Sequence, residues 1–427
     1  MNSEPSIPSL LDEIYRREGR RIFASLVRLL KDFDRAEEAL HDAFATAAEQ
    51  WPLEGVPEHP RAWLVSTGRF KAVDKLRRDA KYRSTDGALA NEWVDPNSLA
   101  AGTAKAEAAD QEIADDQLRL IFTCCHPAIA PATQIALTLR EVCGLTTEEI
   151  GRAFLVPQAT IAQRIVRGKS KIRDAGIPFV VPGASEMASR LDTVLTVVYL
   201  VFNEAYSSAG DAESNREDIS QEGIRLGRLL AELLPTSEVY GLLALMLIQD
   251  SRRAARVSAS GDLILLDEQD RTLWNREQIV EGLGLIQRAF AAGEIGHYTL
   301  QAAIAAEHAV VRSPAETNWP KIVSLYDALL RADPSPVVEL NRAVAIAMRF
   351  GPQAGLDLMD RLLATGDLKH YHLLHAARAD LYRRLGQTDL AIAAYLQALD
   401  LTTQDSARRF MKRRLDELRA PVVLDLD

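Results

Sequence analysis

A chain of 427 residues carrying a formal net charge of −10, with 47% apolar residues, is too long for one small core and excludes a protein that grips nucleic acid over its whole surface. Three cysteines, two of them adjacent, cannot build a disulfide framework and suit a reducing compartment, and "MNSEPSIPSLLDEI" has no basic stretch followed by an apolar run, so no secretory signal is expected. The most apolar runs, "LTVVYLVF" and "YGLLALMLI", fall short of the ~20 residues of a membrane span, so a cytoplasmic protein without a membrane partner is expected.

Leu, Ala, Arg and Glu dominate while alternating Val/Ile/Thr runs are nearly absent, which predicts an all-α fold. The first informative segment is "DFDRAEEALHDAFATAAEQWP" (32–52), which sets Asp34, Glu38 and Asp42 on one helix face. Like charges at that spacing cost an isolated helix a few tenths of a kcal/mol each, so the stripe either meets a basic partner or is a solvated face. "PRAWLVSTGRFKAVDKLRRDAKYR" (60–83) predicts a helix with Trp63, Leu64, Phe70, Val73 and Leu76 as its buried stripe. Its cations, Arg61, Arg69, Lys71, Lys75, Arg77, Arg78, Lys81 and Arg83, face only Asp74 and Asp79. Basic helices with aromatics beside them suit single-stranded or melted DNA; the other reading is a basic surface over core aromatics.

An Ala-rich, acidic and weakly periodic stretch, "DGALANEWVDPNSLAAGTAKAEAADQEIADD", reads as a linker. Next comes "GLTTEEIGRAFLVPQATIAQRIVRGKSKIR", two short helices joined by a turn. Thr146 and Glu149 form a capping box, Ile150, Ala153 and Phe154 supply an inner face, and Pro157 ends the first helix. Ile161, Ile165 and Ile172 make the apolar stripe of the second helix and leave Gln158, Thr160, Gln163, Arg164, Arg167 and Lys171 outward. Amides and Arg near a helix start pair with base edges in a major groove, and cations further along bind phosphate. "GIPFVVPGAS" (176–185) then breaks the chain.

Beyond the break the chain reads as helical, with boundaries at Pro235, Pro314, Pro320, Pro334, Pro336 and Pro352. "LYDALLRADP", "LMDRLLATGD" and "AYLQALDLTT" recur about every 35 residues, with the Ala-rich "LNRAVAIAM" and "HAARADLYRRLG" between them, the period of tetratricopeptide-type hairpins; no clean period shows from 186 to 310. "TCCHP" with Cys143 offers thiols and His126, but adjacent cysteines on a helix do not both reach one ion, so buried small residues are expected and no metal. "GDLILLDEQDRTLWNR" (261–276) gathers Asp262, Asp267, Glu268, Asp270 and Arg271 without a His or nucleophile, which points to an internal salt-bridged loop or a docking surface rather than a catalytic centre. No phosphate-binding, dinucleotide or triad motif is present, so neither catalysis nor a cofactor is expected.

Two basic helical modules joined by a linker give residues 10–175 a resemblance to the extracytoplasmic-function sigma factors of the sigma-70 superfamily. "DRAEEALHDAFATAAEQWP" resembles the region 2 helices that dock on the clamp of RNA polymerase, which implies Asp34, Glu38, Asp42 and Phe44 at or near that contact. "AWLVSTGRFKAVDKLRR" is similar to the segment that melts and reads the promoter −10 element, implying a role for Trp63, Arg69, Phe70, Lys71, Lys75, Arg77 and Arg78. The helix-turn-helix resembles region 4, which reads the −35 element and meets the polymerase flap. "LRLIFTCCHPAIAPATQIALTLREVCGLTTEEIGRAFLVP" and "GDLILLDEQDRTLWNREQIVEG" are similar to blocks of a subgroup with a long tetratricopeptide-like C-terminal extension. Two departures stand out: Phe70 where many relatives carry Asn, and Leu155 where the turn usually has Gly, a strain of roughly 1 kcal/mol if left-handed.

The resemblance implies region 2 over 10–85, a linker over 86–111, region 4 over 112–177 and a helical-repeat extension over 186–420 that contacts and controls the sigma regions in cis. Core RNA polymerase and promoter DNA are the implied partners, with weak DNA binding by the chain alone. The competing readings are a helix-turn-helix activator with a repeat-type sensor domain, and an enzyme with its site in 200–275.

Overall fold

The computed structural model describes residues 7–83, 116–154, 156–207, 214–258, 262–402 and 405–419. Among these residues the regular elements are all helical, with one isolated β-bridge between Val257 and Leu263, so the fold is all-α. The chain divides into two compact units, Met1–Leu200 and Val201–Asp427.

In the first unit, α1 (Ile7–Leu30), α2 (Phe33–Glu54) and α3 (Pro60–Arg83) pack on one another. Asp32 starts α2 by accepting from the backbone N–H groups of Asp34 and Arg35 at 3.0 and 2.9 Å, and Gly55, at φ 87°, ends it. Their core is Ile22, Phe23 and Leu26 of α1, Ala36, Ala39, Leu40 and Ala43 of α2, and Leu64 of α3. The inward face of α3 is not the expected stripe. Leu64 is buried and Trp63 and Val73 are half-buried, but Phe70 and Leu76 are exposed, Phe70 at 48%. The face that meets α2 instead carries the small residues Thr67 and Gly68, where an added Cβ would stand 2.8 Å from the Ala39 carbonyl oxygen. Close backbone approach, rather than side-chain size, sets how α3 is rotated.

The same unit continues with α4 (residues 116–124), α5 (Pro131–Leu137), a π-helical turn (Thr138–Val142), α6 (Thr147–Ala153) and α7 (Gln158–Asp174). The capping box forms as expected: Glu149 N–H donates to Thr146 Oγ1 at 3.2 Å, and Thr146 N–H donates to Glu149 Oε2 at 2.7 Å. Ile150, Ile161, Ile165 and Ile172 are buried, and Phe154 is half-buried. Gly168 permits α7 to lie against α5, since a Cβ there would meet Leu137 Cδ1 at 2.5 Å. The linker expected over 86–111, the side chains of Asp79, Lys81, Arg83 and Ala153, and Leu155 lie outside the described residues.

α8 (Ala184–Ser207) leads into the second unit, where α9 (Ser214–Leu233), α11 (Arg276–Ala291) and α12 (His297–Ala309) surround α10 (Ser237–Asp250). α10 is buried on every side from Val239 to Ile248. Six further helices follow: α13 (Trp319–Ala332), α14 (Pro336–Phe350), α15 (Pro352–Thr365), α16 (His372–Arg384), α17 (Thr388–Leu401) and α18 (Asp405–Arg419). Pro320, Pro336 and Pro352 each sit at a helix start, where the missing N–H costs nothing. The pairs α14/α15 and α16/α17 are antiparallel-type hairpins of the expected period, sharing Ala and Leu faces such as Ala343, Ala347, Leu356 and Met359.

Candidate nucleic-acid interface

α7 presents a polar and basic stripe opposite its isoleucines. Gln163, Arg167 and Lys171 are exposed, and Thr160 and Arg164 are half-buried. Among the described residues Arg164, Arg167 and Lys171 form no ion pair, so three positive charges face solvent uncompensated on one side of one helix. Gln158 is exposed at the start of α7, but its amide donates to Thr147 Oγ1 at 3.2 Å and ties the two helices together. The other two cations of this stretch, Lys169 and Arg173, are engaged elsewhere. Arg173 pairs with Asp174 at 3.3 Å, and Lys169 turns inward.

α3 carries a second set. Arg69, Lys71 and Arg77 are exposed and form no ion pair among the described residues, while Arg78 is paired with Asp74. Phe70 stands exposed between Arg69 and Lys71. Trp63 is held edge-on to Trp51, ring centroids 5.5 Å apart, on the half-buried side of the helix. An apolar ring flanked by uncommitted cations is a surface suited to unstacked bases with phosphates beside them.

The acidic stripe of α2 meets bases within its own chain. Glu38 pairs with Lys75 at 2.7 Å across a crevice of about 90 Å³ that Asp42 and Leu76 also line. Asp34 accepts from Lys169 at 2.9 Å, and Phe44 rests edge-on against Tyr15 at 5.1 Å. Asp42 is exposed without an ion pair among the described residues. Two of the three acids of the stripe thus face a cation of their own chain.

Lys169 belongs to a junction between the two basic modules that local patterns did not reveal. Its Nζ also lies 3.2 Å from Glu141, whose side chain is only 1% exposed, and 5.7 Å from the Phe33 ring. Burial pushes the Glu141 carboxyl above its ordinary value, and Lys169 opposes that rise. For Lys169 burial favours the neutral amine, but Glu141 and Asp34 prevail and hold it charged. Beside them Glu37 accepts from Arg20 at 3.2 Å and faces Arg140 at 3.6 Å, and fully buried Asp116 pairs with Arg28 at 2.8 Å and Arg119 at 2.6 Å. Gly144, at φ 83°, leaves room for the Arg20 side chain, which a Cβ would meet at 2.7 Å. Glu141 lies in the π-helical turn Thr138–Val142, among the buried residues Thr138, Leu139 and Val142.

Cys124 and Cys125 are buried, and Cys125 Sγ sits 3.4 Å from Thr138 Oγ1; burial raises both thiols, that of Cys125 to about 12. These are packing residues. The acidic loop of 261–276 is salt-bridged within the second unit: Asp262 pairs with Arg409 at 3.0 Å and Glu268 with Arg414 at 2.5 Å, while Asp270 caps a short turn by accepting from Thr272 N–H at 2.9 Å. No helix among the described residues is long and apolar enough to cross a membrane.

The Sigma-70 region 2 family model matches residues 14–82, the Sigma-70 region 4 model matches residues 119–172, and a family of unknown function (DUF6596) matches residues 190–290. The chain is 42% identical over 404 residues to the uncharacterized protein R00370 of Rhizobium meliloti (strain 1021), covering 93% of each chain. It is also 24% identical over 159 residues to the ECF RNA polymerase sigma factor SigK of Mycobacterium sp. (strain KMS), covering 36% of this chain and 77% of that protein; the SigK of strain JLS matches to the same extent.

Proposed function

Because the chain belongs to the extracytoplasmic-function sigma factors of the sigma-70 superfamily and carries a C-terminal extension, we propose that its two cationic modules read the two promoter elements while α2 and region 4 hold core polymerase. In this reading Asp34, Glu38, Asp42 and Phe44 meet the clamp, and region 4 meets the flap. Trp63, Arg69, Phe70, Lys71, Lys75, Arg77 and Arg78 act on the −10 element. Gln158, Thr160, Gln163, Arg164, Arg167 and Lys171 act on the −35 element. The protein works in the cytoplasm, catalyses no reaction itself, and its C-terminal helical unit controls the sigma modules in cis. The observation that carries the reading is the pair of uncommitted cation sets, Arg69/Lys71/Arg77 and Arg164/Arg167/Lys171, one on each matched module.

Run-off transcription with core polymerase tests the proposal. The expected result is initiation at a restricted set of promoters that core polymerase alone does not use. Absence of initiation at any promoter in a genomic library overturns it, as does tight sequence-specific duplex binding by the chain alone, which is the behaviour of an activator. For the cis control, truncation after residue 185 should change promoter output in cells; unchanged output under all growth conditions removes that part of the reading.

A further inference from the structure

The second unit contains a cavity of about 330 Å³, partly open to solvent, at the lower end of the ~300–1,000 Å³ typical of small-molecule sites. Its walls come from the loop at Leu265–Asp267, the end of α12, α13, α14 and the last residue of α16. Trp319, Ile322, Tyr326, Val344 and Met348 make most of that lining apolar.

One polar group in the wall is anomalous. Arg271 is 8% exposed, and among the described residues no carboxylate forms an ion pair with it. Nη1 donates to the backbone carbonyls of His308 at 2.5 Å and Val311 at 3.1 Å, and the guanidinium lies 4.6 Å over the Trp274 ring. Nε is buried without a partner. Arg252 and Arg276 add to the positive potential there, which Glu316 offsets only in part, so burial and two like charges pull the guanidinium below its usual range. Buried charges in proteins are otherwise paired, because an uncompensated one costs several kcal/mol. The adjacent wall residue His308, edge-on to Trp319 at 5.4 Å, is driven down to about 4 by burial and by Arg252 and Arg271. It is therefore neutral near pH 7 and supplies no compensating charge of either sign. The other arginine of the lining, Arg384, is already committed to Asp380 at 2.7 Å.

We propose that this cavity binds a small organic carboxylate with an apolar or aromatic body, its carboxylate on Arg271 and its body among Trp319, Tyr326, Val344 and Met348. Asp267, exposed at the mouth, disfavours a second anionic group, so monocarboxylates are preferred over dicarboxylates and phosphate esters. The site is a property of the helical extension and does not depend on the transcriptional reading; if the extension controls the sigma modules, this carboxylate is its chemical input.

The test uses the purified full-length chain and titration calorimetry. The probes are phenylacetate, indole-3-acetate, hexanoate and octanoate, with phenylacetamide and octanamide as their uncharged counterparts and phenyl phosphate as the alternative anion. Saturable binding of at least one carboxylate is expected, with its amide weaker by at least about tenfold. R271Q should lose that discrimination, and V344F, which fills the cavity and leaves Arg271 in place, should lose binding altogether. Because V344F does not touch the guanidinium, it keeps the test decisive if R271Q fails to fold. Equal binding of acid and amide, preference for the phosphate, or no binding by any carboxylate up to about 5 mM overturns the proposal. None of these readouts needs polymerase, so failure here and failure of the sigma reading are separable.

Discussion

Replacing Lys169 with Met keeps the volume and removes the charge that Glu141 faces. Glu141 is 1% exposed and Lys169 20% exposed, so the carboxylate loses its nearest cation in a site that water barely reaches. Breaking a buried pair from one side ordinarily costs about 3–5 kcal/mol. Here a ceiling can be worked out, because the carboxyl can take up a proton instead. Holding a group with an ordinary value of 4.5 neutral at pH 7 costs at most about 1.36 × (7 − 4.5), or ~3.4 kcal/mol. The sign follows from the raised carboxyl. In the window above 4.5 the folded state binds more protons than the unfolded one, so stability falls as pH rises, and the variant widens that window. The ceiling drops to ~1.4 kcal/mol at pH 5.5. K169M should therefore lower the opening free energy of α5 and α7, read by hydrogen exchange corrected for intrinsic rates, by roughly 2–3 kcal/mol at pH 7 and about 1 at pH 5.5. Adding E141Q should restore most of the loss. D34N alone should cost under about 1 kcal/mol, since the Asp34 side chain is 79% exposed. A K169M penalty independent of pH, or undiminished by E141Q, would refute the assignment of Glu141 as the buried charge that Lys169 neutralises.

Further outcomes follow from other parts of the molecule. Alanine at Arg164, Arg167 or Lys171 should leave melting within about 0.5 kcal/mol of the parent. Each of these cations that holds a phosphate should, when removed, lower the salt slope of holoenzyme binding to promoter DNA by about 0.9, measured by fluorescence anisotropy between low and high salt. F70A should likewise spare stability, because the ring is 48% exposed, yet slow promoter opening followed by permanganate reactivity of unpaired thymines. G168A should destabilise by about 1–2 kcal/mol in denaturant titrations, the gain in helix propensity being outweighed by the clash with Leu137 at 2.5 Å.

What was legible in the sequence followed its periodicity. α7 shows its isoleucines at helical spacing, α6 announces its start by Thr146 and Glu149, and the hairpins from α13 onward repeat because each buries one face on its neighbour. α10 has no such pattern because it is buried all round, and a helix apolar on every face has no period to read. The rotation of α3 departs from the expected stripe for a different reason. The large residues Phe70 and Leu76 suggest an inward stripe, yet helices pack closest where side chains are smallest, at Gly68 against Ala39. Lys169 looks like its neighbours Arg167 and Lys171 on the helix, and only its partners Glu141 and Asp34, brought to it by the fold, distinguish it. Arg271 is the converse case: it sits in a visibly acidic loop in which Asp262, Glu268 and Asp270 are engaged with other groups.

The charge of −10 that seemed at odds with two nucleic-acid-binding modules is reconciled by where each charge sits. Asp116, Glu141 and Asp250, all buried, are matched by Arg28, Arg119, Lys169 and Arg253 and so contribute little field outside the protein. Among the described residues Arg69, Lys71 and Arg77 form one patch of cations without an ion pair on α3 and Arg164, Arg167 and Lys171 another on α7, while Asp42 remains exposed on α2. With a Debye length of about 8 Å at physiological salt, a phosphate touching Arg167 responds to that patch and scarcely to an acid a helix diameter or more away. At lower ionic strength the screening length grows, and the acidic remainder repels DNA from the chain as a whole. A factor charged in this way gains specificity from contact and none from long-range attraction, which suits a protein delivered to DNA by a larger enzyme.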